Sequence, residues 1–245
     1  MSEYIIAIPA RYASSRLPGK PLADVGGMPM IKRVALQALS SKVSRVIICV
    51  DDERVANVLT DLNVEVCMTS KECKCGTDRI AEMIKNLSIP DDTVVVNIQG
   101  DEPLINPEHI DAVANLLIES KADMSTLAAK IDNIHDVLDN NSMALYFSRA
   151  PIPYERDNFS KGDISELKFP HYHHIGLYAY KAKTVVDYSA MSQTDLEVCE
   201  SLEQLRLLQR GYKIAVSLTS RPPEIGVDTK DDLIRVNEIL KASHK

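Results

Sequence analysis

Residues 4–22 read YIIAIPARYASSRLPGKPL, and this stretch decides the fold. Its opening run, YIIAI, is short, apolar and rich in isoleucine, as a strand buried on both faces of a parallel sheet should be. Directly after it, Arg11, Arg16 and Lys20 fall within ten residues, together with two serines and Gly19. In an open α/β sheet, ligands bind beyond the carboxyl ends of the strands, so three cations there suit a polyphosphate. The alternative is a solvated basic loop.

Outward from this stretch, similar runs recur at 46–50 (VIICV) and 94–98 (VVVNI), and helix-like stretches lie between them. Residues 28–40 place Ile31, Val34, Ala35 and Ala38 on one face, 78–87 do the same with Ile80, Met83, Ile84 and Leu87, and 107–119 open on Pro107. Strand alternating with helix predicts an α/β fold, a doubly wound, mostly parallel sheet covered on both faces. After about residue 124 the alternation weakens. STLAAKI, ALYFSRAPIP and IGLYAYK are strand-like, and the polar segment between Pro153 and Pro170 reads as a loop. The expectation is a single domain over 1–245 in which 124–220 contribute an antiparallel extension. Residues 195–210 are predicted as one helix stopped by Gly211, KIAVSLT as a strand, and the tail from Thr229 as a capped helix.

The 245 residues carry 28 Lys plus Arg against 35 Asp plus Glu, a net charge of −7, with a pI near 5.4. This argues against a nucleic-acid partner, which usually meets a basic face. A 45% hydrophobic and 26% charged composition is that of a globular protein rather than a disordered one. No apolar run approaches the roughly 18 residues of a membrane helix, and residues 1–20 lack a secretory signal pattern, so the expected compartment is the cytoplasm. Five cysteines do not make a disulfide framework.

Neither GxxxxGK[ST] nor GxGxxG is present, since Pro21 follows Lys20; a P-loop hydrolase and a dinucleotide-binding dehydrogenase are both disfavoured. VVVNIQGDEPL (94–104) ends a buried strand in a turn with Gln99, Asp101 and Glu102, and an aspartate there is well placed for Mg²⁺, which takes one or two protein carboxylates together with substrate phosphates. GVDT (226–229) offers Asp228, which, like Thr229, can equally cap the following helix. In CGTDRIAE (75–82), loop amides could read a base edge, or Thr77 or Asp78 could simply cap a helix. Cys73 and Cys75 have no second pair at zinc spacing and read as reduced thiols. The three histidines of HYHHIGLYAY lack metal spacing. His174 reads either as a hydrogen-bonding group for a hydroxylated or anionic substrate or as part of a surface turn. Glu200, Glu203 and Gln204 share one helix face, either solvated or able to bind hydroxyls.

Together, PARYASSRLPGKPL, VCMTS followed by CGTDR, VNIQGDEPLI, ALYFSRAPIP, HHIGLYAY, LEQLRLLQRGYKI and GVDTKDDL resemble the 3-deoxy-manno-octulosonate cytidylyltransferase (CMP-Kdo synthetase) family, in the family's order and over nearly the whole chain. The resemblance implies a homodimeric, Mg²⁺-dependent enzyme of the nucleotide-diphospho-sugar transferase fold, with an extension serving dimerisation and substrate. Such an enzyme uses CTP and Kdo to make CMP-Kdo and pyrophosphate for lipopolysaccharide. By matching motif, Arg11, Lys20, Asp101 and Asp228 would be catalytic. Arg11 and Lys20, helped by Arg16, would hold the phosphates, while Ala10, Cys75, Gly76 and Thr77 would meet the cytosine. Asp101 and Asp228 would bind the metal, and Gln99, Pro103, Arg149, His174, Tyr178, Glu203 and Gln204 would line the sugar site. Two departures stand out. The segment before ALYFSR is shorter than is usual in the family by about 5 to 10 residues, roughly one strand, and Cys75 stands where the family usually has serine. A cytidylyltransferase for another ulosonic acid, amino-substituted or sialic-type, and a non-catalytic nucleotide-binding paralogue are the alternatives.

Overall fold

The computed structural model describes residues 4–14, 16–131, 136–160, 169–221 and 224–243. The chain opens with β1 (Tyr4–Ala10), α1 (Met30–Leu39), β2 (Arg45–Val50), α2 (Glu53–Asn57), β3 (Glu65–Met68), α3 (Gly76–Asn86), β4 (Val94–Asn97) and α4 (Pro107–Glu119). It continues with β5 (Met124–Ile131), β6 (Asp136–Leu138), β7 (Ala144–Phe147), α5 (Arg156–Phe159), β8 (His171–Lys181), α6 (Ala182–Ala190), α7 (Asp195–Glu200), α8 (Gln204–Gln209), β9 (Ile214–Thr219) and α9 (Lys230–Ser243).

Seven strands form one sheet in the order β3-β2-β1-β4-β8-β5-β9. Strands β1, β2, β3 and β4 pair in parallel, as the buried apolar runs require. Residues of β1 alternate between two cores. Tyr4, Ile6, Ile8 and Ala10 pack with α1 and α4 on one face, while Ile5 and Ala7 pack with α3 and α6 on the other. A third cluster, Leu17, Val25, Met30, Val227 and Val236, seats α9.

Two expectations need correction. The antiparallel character expected over 124–220 belongs to β8, which runs against both of its neighbours, and to the β6–β7 pair. Strands β5 and β9 instead pair parallel to each other and run in the direction of β1 to β4. Each of the two comes after a helix that returns the chain to the starting end of the sheet, and that return sets the direction. The helix expected over 195–210 is two helices. Thr194 and Glu197 close a capping box that starts α7, and Ser201, with φ 52°, breaks the run before α8. The shortened segment before Ala144 includes residues 132–135, which lie outside the described residues. The three-residue strand β6 comes next and pairs with β7.

Candidate functional site

The chain builds outward from β1 to β2 and β3, then returns to place β4 on the other side of β1. That switch point is where an open α/β sheet leaves a crevice, and a cavity of about 480 Å³ opens there. One wall is the loop after β1, with Ala10, Arg11, Ser14, Arg16 and Lys20. The other is the segment Cys73–Gly76 with Arg79 of α3, and Gln99 and Asp101 after β4, Glu203 and Asp228 complete the lining.

Local backbone chemistry sets this shape. A Cβ on Gly100 would stand 2.8 Å from the Pro9 carbonyl oxygen, so only glycine lets the β4 turn lie against the end of β1. Gly19 turns the first loop at φ 67°, beside the Tyr12 hydroxyl, and delivers Lys20 into the cleft. The Lys20 ammonium donates to Asp101 Oδ2 at 2.6 Å and to Asp228 Oδ1 at 2.9 Å, and Arg16 Nη1 donates to Asp228 Oδ2 at 3.1 Å. Lys20, joined by Arg16, holds the Asp228 carboxyl below the usual carboxylate range. The 224–228 loop is tied to the same turn, since Val227 N donates to Asp101 O at 2.8 Å. Glu102 lies beneath, where burial, with Asp101, Glu224 and Asp228 nearby, pushes its carboxyl up to about 7.

On the facing wall, Cys75 caps α3, its Sγ accepting from Asp78 N at 3.4 Å. Burial pushes this thiol up to about 11 and that of Cys73 likewise, so both are neutral near pH 7. Cys73 donates to Glu82 Oε2 at 3.1 Å. Glu203 accepts from the Thr77 hydroxyl at 3.3 Å, and burial raises its carboxyl.

Ten of the residues singled out from the sequence therefore share one cleft: Ala10, Arg11, Arg16, Lys20, Cys75, Gly76, Gln99, Asp101, Glu203 and Asp228. The others lie outside its lining. Thr77 is buried behind the loop and reaches Glu203. Tyr178 donates to Gln204 Oε1 at 3.4 Å, and the buried Gln204 Nε2 has no hydrogen-bond partner among the described residues. His174 lies on a strand rather than in a surface turn, 3.0 Å from Thr126 Oγ1, with its ring between those of Phe147 and Tyr178. Burial drives its pKa down to about 3, so the imidazole is neutral. Pro103 is buried in the β4 turn. Arg149 donates to the carbonyls of Glu200 and Ser201, at 2.7 and 3.1 Å. Ser14, Lys74 and Arg79 line the cleft without having been singled out, and Cys73, read only as a reduced thiol, lines it too. Arg79 pairs with Asp51, an aspartate just past a buried strand, and the signal that marks Asp101 would have marked it too.

A switch-point cleft lined by cations and carboxylates is the architecture of an α/β nucleotide-binding protein. The cytidylyltransferase family model matches residues 5–214, and the chain belongs to that family. It is 46% identical over 251 aligned residues to a 3-deoxy-manno-octulosonate cytidylyltransferase of Histophilus somni, covering 97% of this chain and 98% of the relative. A 3-deoxy-manno-octulosonate cytidylyltransferase of Haemophilus influenzae is 45% identical, covering 98% and 99%. The alignment to the Histophilus protein is longer than this chain of 245 residues, so some of that relative's positions have no counterpart here. Among solved structures, a CMP:2-keto-3-deoxy-manno-octonic acid synthetase complexed with CTP superposes with a TM-score of 0.86 at 34% identity, over 99% of this chain and all of that one. A 4-diphosphocytidyl-2C-methyl-D-erythritol synthase from Anaerococcus prevotii, at 18% identity and TM-score 0.61, shares the fold.

Proposed function

We propose that the protein transfers CMP from CTP to the ulosonic acid Kdo, releasing pyrophosphate and supplying CMP-Kdo for lipopolysaccharide. The observation that carries this reading is the convergence of Lys20, Arg16, Asp101 and Asp228 in the switch-point cleft of a chain whose near relatives bear that activity in their names. In this reading Arg11, Arg16 and Lys20 bind the triphosphate and neutralise charge growing on the departing pyrophosphate. Ala10, Cys75 and Gly76 face the cytosine, with Thr77 buried behind them. Gln99, Pro103, Arg149, His174, Tyr178, Glu203 and Gln204 serve the sugar acid, with Gln99 and Glu203 at the cleft itself and the others supporting them. The anomeric hydroxyl attacks the α-phosphorus in line, and no covalent enzyme intermediate is required.

The donor set suits Mg²⁺. Two carboxylates already converge on one ammonium nitrogen, so Asp101 and Asp228 are aimed at a single cationic centre, and hard oxygen ligands completed by substrate phosphates are what this ion prefers. Mg²⁺ held by Asp101 and Asp228 would supply charge neutralisation for the triphosphate. We further propose a single catalytic unit over 1–245 that works as a cytoplasmic homodimer. The exposed Tyr154, Phe169 and Leu218, which line a groove together with Leu138 and Tyr172, support such a dimer. Among the described residues, no helix is long and apolar enough to cross a membrane.

The test is pyrophosphate release from CTP with Kdo present, omitted or replaced by amino-substituted and sialic-type acids, each with Mg²⁺ and with EDTA. Release that requires both Kdo and metal is expected, and Asp101→Ala should nearly abolish it in a folded protein. Preference for another acid would move the substrate assignment. CTP binding without release with any acid would leave a binding-only paralogue.

A further inference from the structure

The two walls of the cleft are joined beneath it by a buried ion pair. Asp51 is the first residue past β2. Its Oδ1 accepts from the Tyr12 amide at 2.8 Å, and its Oδ2 accepts from Arg79 Nη2 at 3.0 Å. The side chains of Arg79 and Asp51 are only 3% and 7% exposed. The other end of the guanidinium, Nη1, donates to Thr69 Oγ1 at 2.5 Å, and Thr69 donates through both its hydroxyl and its amide to Val50 O. One arginine in the first turn of α3 is thereby fixed to the ends of β1, β2 and β3 at the edge where the cleft opens.

Tyr12 relays this anchorage into the cationic loop. It is the immediate neighbour of Arg11. Its ring lies 3.7 Å under the Arg54 guanidinium, and its hydroxyl lies 3.3 Å from where a side chain on Gly19 would begin, one residue before Lys20. The amide held by Asp51 thus fastens the loop near Arg11, and the ring supports it near Lys20. Burying such a pair yields little net stability, because desolvation offsets most of the attraction. What the pair does supply is a fixed spacing between α3 and the loop after β1, the two walls of the cleft.

We propose that Asp51 and Arg79 are positioning residues for the nucleotide: acting through the Tyr12 amide, they set the distance between the Arg11–Lys20 loop and the Cys75–Thr77 start of α3, and with it the affinity for CTP. The proposal rests on the reading of the cleft as a CTP site. A displacement of about an ångström in such a site costs up to a hundredfold. Asp51→Asn should therefore raise KM for CTP about tenfold while leaving KM for Kdo within about twofold. Since Asp51→Asn leaves a buried guanidinium uncompensated, two further variants keep the test open. The double variant Asp51→Asn/Arg79→Gln removes both buried charges together and should show the same selective rise. Thr69→Val removes only the second anchor of Arg79 and should show a smaller one. Thermal unfolding identifies the folded variants. Folded variants with an unchanged KM for CTP, or with both KM values raised equally, would overturn the proposal. If the unsubstituted protein releases no pyrophosphate with any acid, the catalytic reading fails on its own, and calorimetric CTP affinity of the same variants still decides the role of the pair.

Discussion

His174 offers the sharpest test of the structure, because its chemistry is set by neighbours from three different strands. Its ring nitrogen meets the Thr126 hydroxyl of β5, its ring lies tilted against those of Phe147 of β7 and Tyr178 of β8, with centroids 4.9 and 5.4 Å away, and His173 stands beside it. Although the residue keeps some contact with solvent, burial lowers its pKa from the ordinary 6.5 to about 3. The folded protein therefore holds a neutral imidazole at pH values where the unfolded chain binds a proton. A depressed histidine pKa contributes stability that is complete above about 6.5 and is lost progressively as the pH falls toward 3. At pH 5 the gap amounts to about 1.5 pKa units, or roughly 2 kcal/mol at 1.36 kcal/mol per unit. His174→Gln keeps a hydrogen-bonding side chain but cannot titrate. Urea unfolding of both proteins at pH 7.5 and pH 5, without nucleotide or metal, should show the stability difference moving in favour of the variant by up to about 2 kcal/mol at the lower pH. A difference that stays the same at both values would refute the reasoning, because it would mean that the ring protonates in the folded state as freely as in the unfolded one.

Arg206 Nε and Nη2 donate to Glu197 at 2.7 and 2.5 Å, both side chains are nearly buried, and the guanidinium lies 4.1 Å from the centre of the Tyr188 ring. Arg206→Ala should therefore cost about 3–5 kcal/mol in denaturant unfolding by leaving Glu197 uncompensated; a loss below about 1 kcal/mol would contradict a buried pair. Cys75→Ser replaces a weak thiol cap on α3 with a hydroxyl, and calorimetry should register a gain of up to about 1 kcal/mol; a loss would show that the site prefers sulfur's size. Glu102 has a raised pKa, so its contribution is present below about 4.5 and is lost as the pH rises through about 7. In metal-free protein, Glu102→Gln should gain stability over the parent by roughly 3 kcal/mol at pH 8.5, with little gain at pH 4.5. An equal effect at both pH values would count against a buried, unbalanced carboxylate.

The first half of the fold was legible because buried parallel strands and amphipathic helices leave strong local signals: β1, β2, β4, α1, α3 and α4 all match the expected stretches to within two residues at either end. The edge strand β3, only four residues long and partly exposed, left no such signal. Strand direction was illegible in the second half. Alternation in STLAAKI and IGLYAYK marks strands, but the connections alone decide that the first is parallel to β9 and the second antiparallel to both its neighbours. The break at Ser201 was hidden in a leucine-rich run that reads as continuous helix. In the cleft, Lys20, Asp101 and Asp228 could be found because each comes after a strand end or precedes a helix. The Asp51–Arg79 pair joins residues 28 positions apart, and the neutrality of His174 depends on Phe147 and Thr126, so neither is written in any single motif.

The place of β8 in the sheet also bears on how the chain is made. Strand β4 ends at Asn97, yet its second neighbour begins only at His171, and β5 must wait for that same segment before it joins the sheet. On a ribosome, the free side of β4 stays unpaired while about 80 further residues are added, up to the Tyr178–Lys181 part of β8 that pairs with it, several seconds at ordinary elongation rates. During that interval an apolar Val94–Val96 edge is available to other nascent chains. Truncation between residues 131 and 171 should therefore yield insoluble protein, whereas chains that extend past Lys181 can close the edge themselves.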